Sequence, residues 1–222
     1  YYNPNWGYQN GEVRNAVVGN RNQPTLILTH DWKINNKSSL LSAASYQFGK
    51  DKVSGLDWFN APDPRPDYYR TLPSYVDETP ELQAQADHLF STDESVRQIN
   101  WSHLYESNEQ NVETFNGVTG KRSLYVLRNR VSDNNIFTLN TIYNESVNDH
   151  LTLNGGLTYQ AQSTEHYTEI EDLLGGDFYI DQNKYADTST VNAGNLSAIQ
   201  NDLNNPDRIL HEGDKYGYDY VS

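Results

Sequence analysis

Six histidines and thirty acidic residues are the side chains in this sequence that hold metals or move protons. His103-Leu104-Tyr105-Glu106 and His166-Tyr167-Thr168-Glu169 each read H-x-x-E. Neither carries the second histidine, one helical turn away, that a catalytic zinc site needs. Glu169, Glu171 and Asp172 fall near Asp177 and Asp181. Paired carboxylates are the equipment of glycoside hydrolysis. In a chain this acidic such clusters arise by chance, and a cell-surface hydrolase is carried only as a third reading. Asp177, Asp181, Asn183 and Asp187 offer oxygen ligands, but not at the spacing of a calcium loop. There is no Cys, which excludes disulfides, thiolate metal sites and a Cys nucleophile. No nucleophile elbow, phosphate loop or dinucleotide fingerprint occurs. We expect no catalytic residue, no metal site, no cofactor and no enzyme.

The aromatics are more suggestive of binding. Asp57-Trp58-Phe59-Asn60-Ala61-Pro62-Asp63-Pro64-Arg65-Pro66-Asp67-Tyr68-Tyr69-Arg70 sets three prolines between two aromatic pairs. Prolines stiffen the backbone and remove donors. Aromatics on a stiff loop can stack on a ligand such as a sugar, or pack the loop onto what lies beneath. Trp58, Tyr68, Tyr69, Trp101 and Tyr105 are the candidate ligand-binding residues. Asn36, Asn100, Asn144 and Asn195 fit the glycosylation pattern, a weak signal in a chain rich in Asn.

These residues lie on or beside two strand pairs with short turns and long excursions. Residues 24–35 and 39–49 form the first pair, and 123–146 with 150–168 the second. Leu26, Leu28, Trp32 and Ile34 alternate with polar neighbours, as do Leu40, Ala44, Tyr46 and Phe48. Phe137, Leu139, Thr141 and Tyr143 repeat the pattern, and Leu151, Leu153, Leu157 and Tyr159 oppose a face of Thr152, Asn154, Thr158 and Gln160. Period two gives each strand one apolar and one polar face. A soluble sandwich has such strands, and so does a membrane barrel, whose spanning strand needs only about 10 residues. Excursions over 50–122 and 169–222 are long for a compact soluble domain and suit extracellular loops.

Charge follows this division. Of a net −14, residues 51–121 carry −8 and residues 165–222 carry −9, while the hairpins are slightly positive. Acidic loops disfavour nucleic acid. No stretch approaches 18 apolar residues, so no transmembrane helix is expected. Within the excursions, Thr79-Pro80-Glu81 predicts a capped helix with Leu82, Ala86 and Leu89 on one stripe. Ser91-Thr92-Asp93-Glu94 has capping-box spacing before Val96 and Ile99. Asn195 is placed to cap a stretch with Leu196, Ile199 and Leu203. The chain opens on Tyr1-Tyr2 and contains no Met, which leads us to expect a piece of a longer protein.

Four stretches carry a resemblance. Tyr2-Asn3-Pro4-Asn5-Trp6-Gly7-Tyr8-Gln9-Asn10-Gly11, Leu26-Ile27-Leu28-Thr29-His30-Asp31-Trp32, Ser45-Tyr46-Gln47-Phe48-Gly49-Lys50 and Asp63-Pro64-Arg65-Pro66-Asp67-Tyr68-Tyr69-Arg70 resemble TonB-dependent receptors of the Bacteroidetes. The resemblance is to the barrel of the type with a carboxypeptidase-like domain, and the last stretch is its most specific part. It implies an all-β fold: an antiparallel transmembrane β-barrel segment of about four long strands, with long extracellular loops containing short helices. It implies a single barrel domain across residues 1–222, with the plug and TonB-contacting segment outside this chain. It further implies the cell outer membrane of a Gram-negative bacterium, and energy-coupled uptake of an iron complex, cobalamin, glycan or peptide. The partners implied are lipid, the nutrient ligand, TonB through the plug, and a surface lipoprotein; no substrate residue carries over. The alternative from a different class is a secreted β-sandwich that binds carbohydrate through the same aromatics.

Overall fold

The computed structural model describes residues 2–76, 79–183, 200–202, 204–205 and 207–222. It is mostly antiparallel β-strand. None of its described helices is long and apolar enough to cross a membrane. In chain order the elements are β1 (Trp6–Gln9), β2 (Glu12–Asn15), β3 (Gly19–Asn22), β4 (Thr25–Lys33), β5 (Ser38–Trp58), α1 (Pro80–Thr92), α2 (Trp101–Gln110), β6 (Val112–Phe115), β7 (Val118–Lys121), β8 (Tyr125–Asn148), β9 (Leu151–Asp172) and β10 (Lys215–Val221). Short 3-10 turns occupy Tyr69–Thr71, Pro73–Tyr75 and Glu94–Arg97. The main sheet runs β10-β9-β8-β5-β3, with β4 also paired to β5; β1-β2 and β6-β7 are separate hairpins. Asn10-Gly11 and Asn116-Gly117 turn those two hairpins with positive φ at both residues, the geometry that matches strand twist.

Contacts divide the chain into two units, and β5, β8 and β9 contribute residues to both. One comprises Tyr1–Gly19, Val53–Arg130 and Thr168–Tyr218; the other comprises Asn20–Lys52, Val131–Tyr167 and Asp219–Ser222.

In the second unit, opposite residues of an antiparallel pair share a face. The β4–β5 register sets Leu26 against Tyr46, Leu28 against Ala44 and Trp32 against Leu40. Side chains carry the same face onto β8. Ser42 meets Thr141 at 3.0 Å, Tyr46 Oη donates to Asn135 at 2.9 Å, and the Ser38 hydroxyl donates to Glu145. Odd positions of β8, including Phe137, Leu139 and Tyr143, therefore join it. On the reverse face Thr164 donates to Asn134 at 2.9 Å and Ser132 meets His166 at 3.1 Å. Even positions of β9 thus lie with even positions of β8, which puts Leu151, Leu153, Leu157 and Tyr159 on the first face. Four alternating runs share one mainly apolar face, on which the Ser42–Thr141, Tyr46–Asn135 and Ser38–Glu145 pairs also lie. It is open: Leu28 is 74% exposed and Leu157 67%. The polar face is open as well, and β4 is exposed at every position.

The first unit has the cores. Ile99, Trp101, Leu104, Tyr125 and Leu127 gather in one; Val126, Ile170, Leu173, Tyr179, Leu210 and Tyr216 in a second; Phe115, Phe178 and Ile180 in a third. Consecutive Tyr125, Val126 and Leu127 are all buried, so the start of β8 is covered on both faces and reads as an apolar run. Asn108 of α2 ties these cores to backbone. Its Nδ2 donates to the carbonyls of Tyr125, Leu173 and Leu174 at 2.8–3.0 Å, and its Oδ1 accepts from the amides of Leu124 and Tyr125.

The strands outrun their sequence signal. β5 continues to Trp58 and β9 to Asp172. The charged run Lys50-Asp51-Lys52 ends the alternation, but the ladder continues, with the Phe59 amide bonded to the Leu124 carbonyl. α1 forms where expected, and Thr79 accepts from the Leu82 amide as its cap. Its stripe does not pack, since Leu82 and Leu89 are exposed. The second cap is Asp93, not Ser91: Asp93 Oδ1 takes the Ser95 amide, while the Ser91 hydroxyl turns back to the His88 carbonyl inside α1. α2 was not read from the sequence; Asn100 caps it by accepting from the His103 amide. The stretch from Asn195 to Ile199, and Leu203, lie outside the described residues.

Replacing Asn108 by Ala takes its side-chain partner from the carbonyls of Tyr125 and Leu174 and the amides of Leu124 and Tyr125, while the Leu173 carbonyl keeps Ser123 Oγ and the Gly176 amide. Each unpaired buried group costs about 1–3 kcal/mol. We expect Asn108→Ala to destabilise the first unit by about 3 kcal/mol or more, read as a lower unfolding midpoint.

Candidate functional site: an arginine-lined cleft

The five aromatics of the sequence reading go to different places. Trp101 is fully buried. Its ring belongs to the core and lies 4.4 Å beneath the Arg14 guanidinium, and its Nε1 donates to the Arg14 carbonyl. That is a structural position, closed to a ligand. Tyr105 belongs to the same knot. Arg14 donates to Asp172 at 2.6 Å and to Tyr105 Oη at 3.0 Å, and Tyr105 in turn donates to Asp172. α2 sets Trp101 and Tyr105 four residues apart, one turn along the same helix side, so both meet Arg14. Tyr68 and Tyr69 do sit at the surface. Their rings meet edge-on at 5.0 Å, Tyr69 meets Tyr75 at 5.1 Å, and Arg70 donates to Tyr69 Oη.

Trp58, of the five, lines a cleft built from described residues. The cleft has a volume of about 390 Å³. Its charged lining is Arg65, Arg128 and Arg130, with no carboxylate, and Trp58 and Asn5 contribute to its walls. The acids stand behind the arginines. Asp63 takes Arg65 through Nε and Nη2 at 2.9 and 2.6 Å and also accepts the Arg65 amide. The guanidinium so held lies 5.2 Å over the Trp58 ring, which makes the tryptophan a support for the arginine. Pro62 accepts from Tyr125 Oη at 3.0 Å, pinning the proline loop to β8. Arg128 approaches Asp57 at 3.7 Å. Arg130 is exposed and meets no acidic partner among the described residues.

Sequence reasoning passed over these arginines. A signal was there: Arg128-Asn129-Arg130 in a strand puts both guanidiniums on one side of the pleat. That Arg65 joins them is tertiary.

Beneath the cleft, Asp57 also accepts from Tyr216 Oη at 3.0 Å, and Tyr216 meets Tyr179 edge-on. Burial pushes both phenols above their usual value of 10, and the negative charge of Asp57 adds to it. Burial also raises the Asp181 carboxyl, against hydrogen bonds from Asn201 and the Gly217 amide.

The other sequence candidates are tied into structure. Asp172 holds Arg14, Asp177 accepts the Lys121 amide, and Glu169 accepts from Asn129. His103 lies on α2, and the His166 ring stacks on Tyr220 at 4.8 Å. Among the described residues no three acids or histidines gather as a metal would need. Asp187 lies outside the described residues. Comparison with family models, with curated proteins and with solved structures finds no match.

The buried phenols give a pH dependence of known sign. Below pH 10 both are protonated in the folded and unfolded chain alike, and their contribution is intact. Above it the unfolded chain releases protons that the folded one keeps, so stability falls as pH rises. We expect Tyr216→Phe to flatten that alkaline decline, measured as unfolding free energy across a pH series.

Proposed function

We propose that this chain is a wall segment, with its loops, of an outer-membrane β-barrel that imports a nutrient in the manner of TonB-dependent receptors. The observation that carries the reading is the apolar face of β4, β5, β8 and β9. Leu26, Leu28, Trp32, Leu139, Leu153 and Leu157 are all exposed on it. An open apolar surface of this extent marks an interaction surface. Lipid fits because the strands alternate apolar and polar down their length, as a barrel wall does between lipid and a wet lumen. β4 has nine residues, about 30 Å of strand. Tilted about 40°, it rises about 23 Å, close to the height of an outer-membrane apolar band. Among the described residues β4 pairs only with β5 and leaves its other edge open, which lipid forbids unless a further strand closes it.

The sandwich alternative needs a second sheet over the leucine face, and among the described residues none covers it. The hydrolase reading needs free paired carboxylates, whereas Asp172 and Asp177 already hold protein donors.

Substitutions on the two faces test the proposal. Leu153→Arg and Leu157→Arg should each cost about 2–4 kcal/mol when those positions face mid-bilayer, with Asn154→Arg mild. Equal tolerance at all three in a bilayer-refolding titration would count against a lipid face. A full-length protein that stays monodisperse without detergent or lipid would end the barrel reading.

A further inference from the structure

The chain is strongly acidic, with thirty acidic residues against sixteen basic ones. Its excursions carry all of the negative excess. Yet the cleft built from the ends of β5 and β8, the proline loop and the segment around Asn5 shows three arginines and no acid on its lining. We infer that this cleft is a recognition site for an anionic group, a carboxylate or a phosphate, on a small solute.

The construction favours this over a solvated patch. An arginine free in water gives up side-chain entropy when it grips a ligand. Here two of the three are held in advance. Arg65 is forked onto Asp63 and laid over Trp58. Arg128 leans on Asp57, itself 7% exposed and hydrogen-bonded to Tyr216. The carboxylates that hold Arg65 and Arg128 do not line the cleft. Arg130 adds a charge with no acid to balance it among the described residues. The result is a local positive excess within a negative surround.

Guanidinium is the group that matches carboxylate and phosphate oxygens by parallel hydrogen bonds. Partly enclosed apolar walls, including Leu56 and Ile99, lower the local screening and strengthen the pairing. Ser54 is not a ligand donor, because its hydroxyl donates to the Ala16 carbonyl and accepts from the Val18 amide. A volume of about 390 Å³ suits one charged sugar or a solute of similar size. That the anion is cargo rests on the transporter reading; that the cleft binds one does not.

Calorimetric titration of the full-length protein, in detergent or in buffer as its solubility requires, tests this with three probes: glucuronate, glucose 6-phosphate and glucose. We expect the anionic sugars to bind and glucose not to, with binding weakened by added salt. The tighter of the two anions identifies the preferred group as carboxylate or phosphate. Arg130 is exposed and has no acidic partner to strand, so Arg130→Gln should leave the fold intact. It should weaken the anions about tenfold or more, the size of one charged hydrogen bond. Arg130→Lys, which keeps the charge but loses the fork, should fall between. Glucose binding as tightly as the anions would overturn the inference. So would unchanged affinity in Arg130→Gln, or no binding of either anion at about 10 mM, where even a weak specific site is occupied. Loss of the barrel reading with anion binding intact, or the reverse, separates the two ideas.

Discussion

Lateral pairing of β5, β8 and β9 is the constraint on which everything else hangs. These strands of 21, 24 and 22 residues supply both units. In the second unit they meet no packed core: the three buried clusters among the described residues all belong to the first. What fixes the hairpins is the backbone ladder and the pleat. A slip of one residue would turn Leu153 and Leu157 to the polar face and Asn154 to the apolar one. The side-chain contacts across neighbouring strands, Ser42 with Thr141 and Thr164 with Asn134, pin that register on both faces. The apolar face is left open among the described residues, and the proposal of a lipid contact rests on that exposure.

The first unit solves the opposite problem. Its excursions are long and polar, and they must be ordered without a large hydrophobic share. Three small clusters do part of this. Buried and half-buried polar groups that satisfy one another add to this. Asn108 serves five backbone groups with one amide, and Arg14 links Trp101, Tyr105 and Asp172. Such networks hold only when complete, because a half-satisfied one leaves desolvated groups behind. This explains why Trp101, expected at a ligand surface, is inside and Tyr105 is half-buried. Trp101 and Tyr105 cover apolar ground while their polar atoms find partners.

The same economy shapes the cleft. Asp57 and Asp63 each do structural work within the fold, and by doing so leave the faces of Arg128 and Arg65 pointing to the opening. A net charge of −14 hides this, because the sum over the chain says nothing about which charges share a wall.

Much was legible from residues alone. Alternation over residues 25–34 and 150–160 determined strands and their faces, because a pleat sorts side chains with a period of two whatever surrounds it. Thr79-Pro80 determined the start of α1, because capping is a local hydrogen bond. The places where reading failed are those where distant chain decides. Ser91 lost the cap to Asp93 within three residues, a choice set by where α1 ends. Asn100 fits the glycosylation pattern only weakly, and its role as the cap of α2 was not read from the sequence. Trp101 and Tyr105 looked like surface aromatics because nothing nearby in sequence shows that Arg14 and Asp172 converge on them. Arg65 and Arg128 stand 63 residues apart, and only the return of β8 beside β5 brings them to one cleft. Local periodicity and caps are properties of the backbone within a few residues, so the sequence by itself determined them. Convergence of charges depends on which strand pairs with which, and only the tertiary structure decided that.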